Sequence, residues 1–482
     1  MIFFRALYRL GIVLRSQAKY EESLIIFQSQ LNIRLKRNKN HSLTIADIMN
    51  QIAIIYYATG KHQEAKSLSE NALIIRKDLL GESHSDTLDL INNLANINIE
   101  LSRFNEAEAL HRNIVSLRKQ VNGEKSAEFA HSINNLGHAK EKNGNYNQAL
   151  ECYKKSIEIY EKCLGSNNSD ITFPLSNLGL ALTELGDKDG RLYQLKALEI
   201  AERVYNHDHP RIANILINLS VTDEVHEDRK SHVQRAYEIS KNKLGNHLFT
   251  IVCLHHLSII HEEENNFHNA EYYLQNALEM GRTELGENSK IFSDTLLMLG
   301  SLYYRYDENA QALAFLKQSL TIQENLFDAN NLWLVRTLRP MAWIADETED
   351  HQTAFNIFLR VYNIIQNNYT YKTRDLNIAS QDLINAGQDL AEQCLKLDNK
   401  NEATTYMLES LRLSELNHDF HSKDHFSTRL KVAKYFIEIR SVDQAELNLN
   451  ICKAISNENH TIDAEEILRL NEAIEAFHLI KS

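Results

Sequence analysis

Glycine and proline are scarce in this chain: 482 residues hold 15 Gly and 3 Pro, where average usage of about 7% and 5% would give roughly 34 and 24. Antiparallel β folds need both residues at frequent turns, and phosphate-cradling loops need glycine clusters, so both architectures are excluded. Cysteine is sparse as well. Cys152, Cys163, Cys253, Cys394 and Cys452 form no CxxC and are odd in number, which reads as reduced core thiols in a cytoplasmic protein. Export as an effector stays open. No apolar run approaches the ~20 residues that cross a bilayer, and Arg5, Arg9 and Arg15 interrupt the signal-like start. Excess positive charge is missing too: the net charge of -13 argues against nucleic acid as a partner.

What the chain does contain is a repeat. The small residue in segments such as "NNLA" and "NNLG" recurs as Gly11, Ala53, Ala95, Gly137 and Gly179, 42 residues apart. The series continues through Ser220, Ser258, Gly300, Ala342, Ala391 and Ala433, making eleven anchors. Twelve residues after most anchors stands a second small residue (Ser23, Ala65, Ala107, Ala149, Ala270, Ala312, Ala354, Ala403 and Ala445). A third small column holds Ala72, Ser156, Ala277, Ser319 and Ser410, and Tyr20, Phe104, Tyr146 and Phe267 share an aromatic column. Several columns in one register identify a helical repeat array.

Each repeat reads as two amphipathic helices. The first carries the anchor and ends near Gly60, Gly144 or Gly186; the second closes near Gly81, Gly123, Gly165, Gly245 or Gly286, positions suited to left-handed C-caps. The pattern L-[GA]…G-x-[YF]-x-x-A…A-L resembles the tetratricopeptide repeat. The 42-residue period, with linkers such as Gly81-Glu82-Ser83-His84 and His207-Asp208-His209-Pro210, is similar to the kinesin-light-chain type of that repeat. The expected fold is all-α, a right-handed superhelical solenoid of about eleven antiparallel helix pairs plus a C-terminal capping helix.

The expected organisation is repeats 1–5 and the first helix of repeat 6 over 1–219, then a degenerate stretch and possible hinge over 220–250. Repeats 7–9 follow over 251–366, an insertion over 367–384, repeats 10–11 over 385–460, and the capping helix over 461–482. Pro340 falls inside a first helix, where it should kink it. Ile2, Phe3, Phe4 and Leu7 have no upstream neighbour, so an N-terminal domain or self-association at this edge is expected.

Motifs for chemistry are missing. No Walker, dinucleotide, nucleophile-elbow or zincin pattern occurs, so no catalytic residue, cofactor or metal site is assigned. His418, His421 and His425 have metal-like spacing but occupy a linker where other repeats also place His. In the resembled family the concave face of the first helices holds an extended peptide. Two residues before successive anchors stand Gln51, Asn93, Asn135, Asn177, Asn218 and His256, with Asn92, Asn96, Asn134, His131 and His138 around them. Asn is a poor helix former, so its recurrence mid-helix has a cause. These amides either offer donor and acceptor groups to a bound peptide backbone or bond neighbouring helices of the stack.

Asp89, Glu100, Glu141, Glu184, Glu224, Glu262 and Glu263 add negative charge to the groove, so the expected partner is a protein or peptide, polar to basic in its middle. Asp47, Asp89, His131 and Phe173 stand where a basic clamp would need Lys or Arg, which disfavours chaperone tails. The expected function is a non-enzymatic protein–protein interaction module binding a peptide or partner segment in the groove of repeats 2–7. The alternative is the regulatory or sensor part of a larger NTPase or protease assembly.

Overall fold

The computed structural model of the chain describes residues 2–16, 19–36, 41–368, 377–418, 422–458 and 462–481, and among these it is helical throughout, without strands. Repeat 1 pairs α1 (Ile2–Ser16) with α2 (Tyr20–Leu35), and repeat 2 pairs α3 (Leu43–Ala58) with α4 (His62–Leu80). Repeats 3 and 4 are α5 (Ser85–Glu100) with α6 (Phe104–Asn122) and α7 (Ala127–Lys142) with α8 (Tyr146–Leu164). After a 3-10 turn at Ser169–Ile171, repeat 5 is α9 (Thr172–Glu184) with α10 (Asp189–Val204), and repeat 6 is α11 (Pro210–Thr222) with α12 (His226–Leu244). Repeats 7 and 8 are α13 (Leu248–Glu263) with α14 (Phe267–Leu285) and α15 (Lys290–Arg305) with α16 (Asn309–Leu326). Repeats 9 to 11 are α17 (Trp333–Glu347) with α18 (His351–Asn368), α19 (Asn377–Lys396) with α20 (Lys400–Asn417), and α21 (Lys423–Glu438) with α22 (Val442–Glu458). The lone α23 (Ala464–Lys481) follows. The helices group into two compact bodies, Met1–Asp328 and Ala329–Ser482.

One backbone device recurs in repeats 2 to 5 and 7 to 11: the residue seven after the anchor takes a left-handed conformation. Gly60, Gly144 and Gly186 do so at φ of 80°, 79° and 75°. Ser102, Asn265, Asp307, Glu349, Asp398 and Arg440 occupy the same column at φ between 55° and 61°. The turn between paired helices imposes this geometry whatever the side chain, so a shortage of glycine did not prevent it. Repeat 6 lacks the device; its short turn instead buries Asp223, which accepts from Arg191 Nε at 3.0 Å and lies 2.7 Å from His232 Nδ1.

Packing within a pair is a knob on an anchor. Sixteen residues after the anchor, Phe27, Tyr153, Leu274, Leu316 and Phe358 are buried to 3% exposure or less. A Cβ added to Gly11, Gly137 or Gly300 would stand 2.7 Å from Phe27, Tyr153 or Leu316 respectively, so glycine is required where the knob is pressed closest. The linker histidines serve the backbone. His84, His209 and His247 accept the N–H two residues on through Nδ1, at 3.1–3.2 Å. They act as N-caps in the manner of Asn or Ser.

The first body also closes on itself. Lys290 of α15 donates to Glu100 of α5 at 2.6 Å, and Arg103 lies 3.6 Å from Asp328. The His62 ring stacks on Phe327 with centroids 5.9 Å apart and planes at 17°. A Cβ on Gly60 would meet the Lys290 backbone nitrogen at 3.0 Å, and Tyr20 packs on a cluster including Ile251 and Leu285. The turns of repeats 1–3 therefore meet the linker edge of repeats 7 and 8, a seam between residues that no 42-residue period relates.

In the second body α17 runs unbroken through the buried Pro340. Of the expected insertion, 367–368 end α18, 369–376 lie outside the described residues, and 377–384 form the first part of α19. Leu470, Ala473 and Phe477 of α23 join the core of repeats 10 and 11. His425 is a core residue: Arg429 Nε donates to its Nε2 at 2.8 Å and Ser414 Oγ lies 3.0 Å from Nδ1. His421 lies outside the described residues.

The left-handed column yields a stability test. Arg440 is exposed at φ 59°, so Arg440→Gly should raise stability by about 1 kcal/mol. Gly144→Ala should lower it by a similar amount through φ alone, since nothing stands within 4 Å of the added Cβ. Urea unfolding of the two variants checks both signs.

Candidate functional site

The first helices of repeats 2 to 6 (α3, α5, α7, α9 and α11) share one inner face, and the structure gives its amides definite partners. Asn93 Nδ2 donates to Asn50 Oδ1 at 3.4 Å, and Asn135 Nδ2 to Asn92 Oδ1 at 2.9 Å. Asn177 Nδ2 donates to Asn134 Oδ1 at 3.0 Å, and Asn218 Nδ2 to Ser176 Oγ at 2.9 Å. Each rung joins the residue two before an anchor to the residue three before the preceding anchor. The amide column thus bonds repeat to repeat, which is the stack-binding role open to it. Its acceptor side includes Asn50 and Ser176, absent from the sequence-derived site; the signal for them was Asn50, Asn92 and Asn134 recurring every 42 residues.

The remaining expected residues lie around this ladder. Gln51 hydrogen-bonds Tyr8 of the preceding repeat, while its Oε1 is buried without a partner. His138 and His256 are half-buried, and burial holds both imidazoles below their usual pKa. In repeat 7 His255, next to the column, donates through Nε2 to Thr295 Oγ1 at 2.8 Å, because that hydroxyl itself donates to Ile291 O. Much of the groove's negative charge is already matched: Asp89 pairs with Arg118, Glu100 with Lys290, Glu141 with Lys142, Glu224 with Lys188, Glu262 with Arg305 and Glu263 with Arg229.

Two cavities open on the face, and Asn93 lines both. The smaller, about 260 Å³, is lined by Asn50, Ala53, Ile54, Tyr57, Ser69, Asn93, Asn96 and Ile97. Its origin is a missing knob. Ser69 stands where repeats 1 and 4 place Phe27 and Tyr153, and its fully buried Oγ has no hydrogen-bond partner. Repeat 3 makes a related substitution: His111 is 1% exposed with neither ring nitrogen bonded. The larger cavity, about 550 Å³, brings Asp89, Glu128 and Asp170 together with Arg118, His131 and Phe173.

A stack of helix pairs in a 42-residue register, with one inner face shared by the first helices of repeats 2 to 6, defines a helical-repeat protein. Tetratricopeptide repeats match at residues 6–40, 44–120, 128–190, 175–211, 250–289 and 292–367; the chain belongs to the tetratricopeptide repeat family. Such an array is a protein-interaction scaffold. The clustered mitochondria protein homolog of Ajellomyces capsulatus is 25% identical over 177 residues, 36% of this chain and 14% of that protein. The chain therefore spans a small part of that relative's length. Kinesin light chain repeats of Podosopora anserina match with 19% identity and a TM-score of 0.38, covering 42% of this chain and 96% of that one. A Rap protein complexed with competence and sporulation factor matches with 12% identity and a TM-score of 0.48, covering 77% and 98%. Among the described residues, no cluster of three metal-ligating side chains occurs and no helix is long and apolar enough to cross a membrane.

The rungs should behave as single coupled bonds. Asn177→Ala and Asn134→Ala should each lower stability by about 1 kcal/mol, and the double variant by less than the sum, read from urea midpoints. The buried imidazoles set a pH dependence. Burial lowers His62 and His111 to about 4, below the unfolded value near 6.5. Between these values the unfolded chain binds protons that the folded chain refuses, so stability rises with pH across that window. Going from pH 7 to pH 5 should cost about 2 kcal/mol per histidine, and His111→Leu should flatten the dependence by that share.

Proposed function

We propose that the first body binds an extended peptide or partner segment across repeats 2 to 4, with one apolar side chain in the Ser69 pocket and a cationic one in the adjoining cavity. The missing knob carries this reading. A core position filled by Phe, Tyr or Leu in other repeats holds only Ser69 here, at the floor of a cavity on the shared inner face. An empty site of this kind costs stability roughly in proportion to its volume, and an aliphatic or aromatic side chain supplied from outside recovers that contact. Its rim offers the amides of Asn50, Asn93 and Asn96, whose groups not engaged in the ladder suit a peptide backbone.

The neighbouring cavity sets the second preference. Asp89, Glu128 and Asp170 line this cavity with Arg118, and Arg211 lies over the Phe173 ring at its edge, so three carboxylates against two guanidiniums favour Lys or Arg in the ligand. This sharpens the expectation of a polar-to-basic partner: the positive charge belongs beside an apolar anchor. Further groove contacts run through Asn92, Asn135, Asn177 and Asn218, by the parts of the ladder that solvent reaches, and through the half-buried His138 and His256 beside it.

Ser69→Leu separates this reading from a purely structural one. Leu fills the same column in repeats 7 and 8, so the variant should gain about 1–2 kcal/mol of stability by closing the cavity. It should lose binding to peptides of an array in which an apolar residue is followed by Lys or Arg. Glu128→Lys with Asp170→Lys should instead shift the preference toward acidic partners. If the array binds Ser69→Leu as well as it binds the native chain, the pocket is not the anchor.

A further inference from the structure

The seam of the first body is unexplained by the repeat. An array held by nearest-neighbour contacts needs no bond between residues 190 positions apart, yet Lys290 reaches Glu100 across that separation. The same edge carries the His62–Phe327 stack, the Arg103–Asp328 pair and the packing of Gly60 on the backbone of Lys290. Between these contacts a crevice of about 760 Å³ remains, lined from one side by Lys19, Tyr20 and Lys61 and from the other by Arg282, Leu285 and Glu287. The contacts are few, two of them are ion pairs, and open space separates them. That composition suits an edge that parts and rejoins, unlike the continuous apolar core between successive repeats.

Tyr57 links this edge to the Ser69 pocket. Its ring walls the pocket and lies edge-on to His62, centroids 5.5 Å apart. Its hydroxyl donates to Glu100, the carboxylate that receives Lys290. One aromatic side chain is therefore wall to the pocket and support to the latch.

We propose that the seam is a latch closing the first turn of the array, and that filling the Ser69 pocket favours the closed latch through Tyr57. A side chain in the pocket packs on the Tyr57 ring in the position from which its hydroxyl meets Glu100. By linkage, whatever holds the seam shut also favours occupation of the pocket. The coupling rests on the pocket reading for its natural occupant, whereas the latch itself needs no ligand.

Hydrogen–deuterium exchange of the full chain, followed at amides 59–62 and 285–290, tests both parts. Glu100→Gln and Lys290→Met should each speed exchange there about tenfold while repeats 4 to 6 keep native rates. Lys290→Arg, which preserves the charge, should stay near the native rate. Unchanged exchange at the seam in both loosening variants would overturn the latch, and so would acceleration spread evenly over all repeats. Ser69→Leu, which puts a side chain into the pocket without any ligand, should slow exchange at the same amides several-fold; no slowing would overturn the coupling. Failure of the native chain to bind any peptide would count against the groove reading alone, because every exchange measurement is made on the ligand-free protein.

Discussion

The register between helices, fixed where a knob from the second helix seats on the small anchor of the first, is the constraint on which the rest of the molecule depends. A helix pair cannot bury its apolar face alone, so each repeat must offer the next the surface it received from the one before. Once Phe27 sits on Gly11 and Tyr153 on Gly137, the first helices stand side by side at a constant offset. That offset lets Asn135 find Asn92, and Asn177 find Asn134, with the same geometry each time. It also makes a single departure conspicuous, because one small side chain in the knob column leaves a hole of defined shape.

Buried polar groups without partners gather in repeats 2 and 3, which line the two cavities of the inner face. Gln51 Oε1, Ser69 Oγ, Thr87 Oγ1, Asn98 Oδ1 and both nitrogens of His62 and His111 are enclosed in repeats 2 and 3 without hydrogen-bond partners. A buried donor or acceptor left unmet costs about 1–3 kcal/mol, so a sequence selected only for stability would replace several of them by the apolar residues its other repeats use. Repeats 7 and 8, with Leu274 and Leu316 in the knob column, show what that alternative looks like. The polar choices in repeats 2 and 3 give up stability that the apolar residues of repeats 7 and 8 keep.

Much of this was legible in the sequence, for a physical reason. Anchors, knobs and second-helix small residues follow from steric demands that repeat every 42 residues, so they print themselves as columns, and all eleven helix pairs and the closing helix could be placed from them. Side-chain partnership is less visible. Asn135 in the sequence is equally suited to a ligand backbone or to Asn92, and only the distance between α5 and α7 assigns its donor. Groove acidity was similarly overstated, because Arg118, Lys290, Arg305 and Arg229 approach from other helices to match the carboxylates. The seam left no trace in the period at all: Glu100 and Lys290 meet because of how far the stack turns over five repeats, which no single repeat encodes. The vacancy at Ser69, by contrast, could have been read by aligning the knob column.

The amide ladder also has a direction: the donor always belongs to the later repeat and the acceptor to the earlier one. A gene that grows by copying whole 42-residue blocks carries both halves of a rung with every copy, so a new block arrives already matched at each side. Copying of a length other than a whole number of repeats, or a block from which either Asn has been lost, strands a donor or an acceptor at the junction. The ladder therefore acts as a grammar for lengthening the array, permitting insertions in whole repeats and penalising the rest.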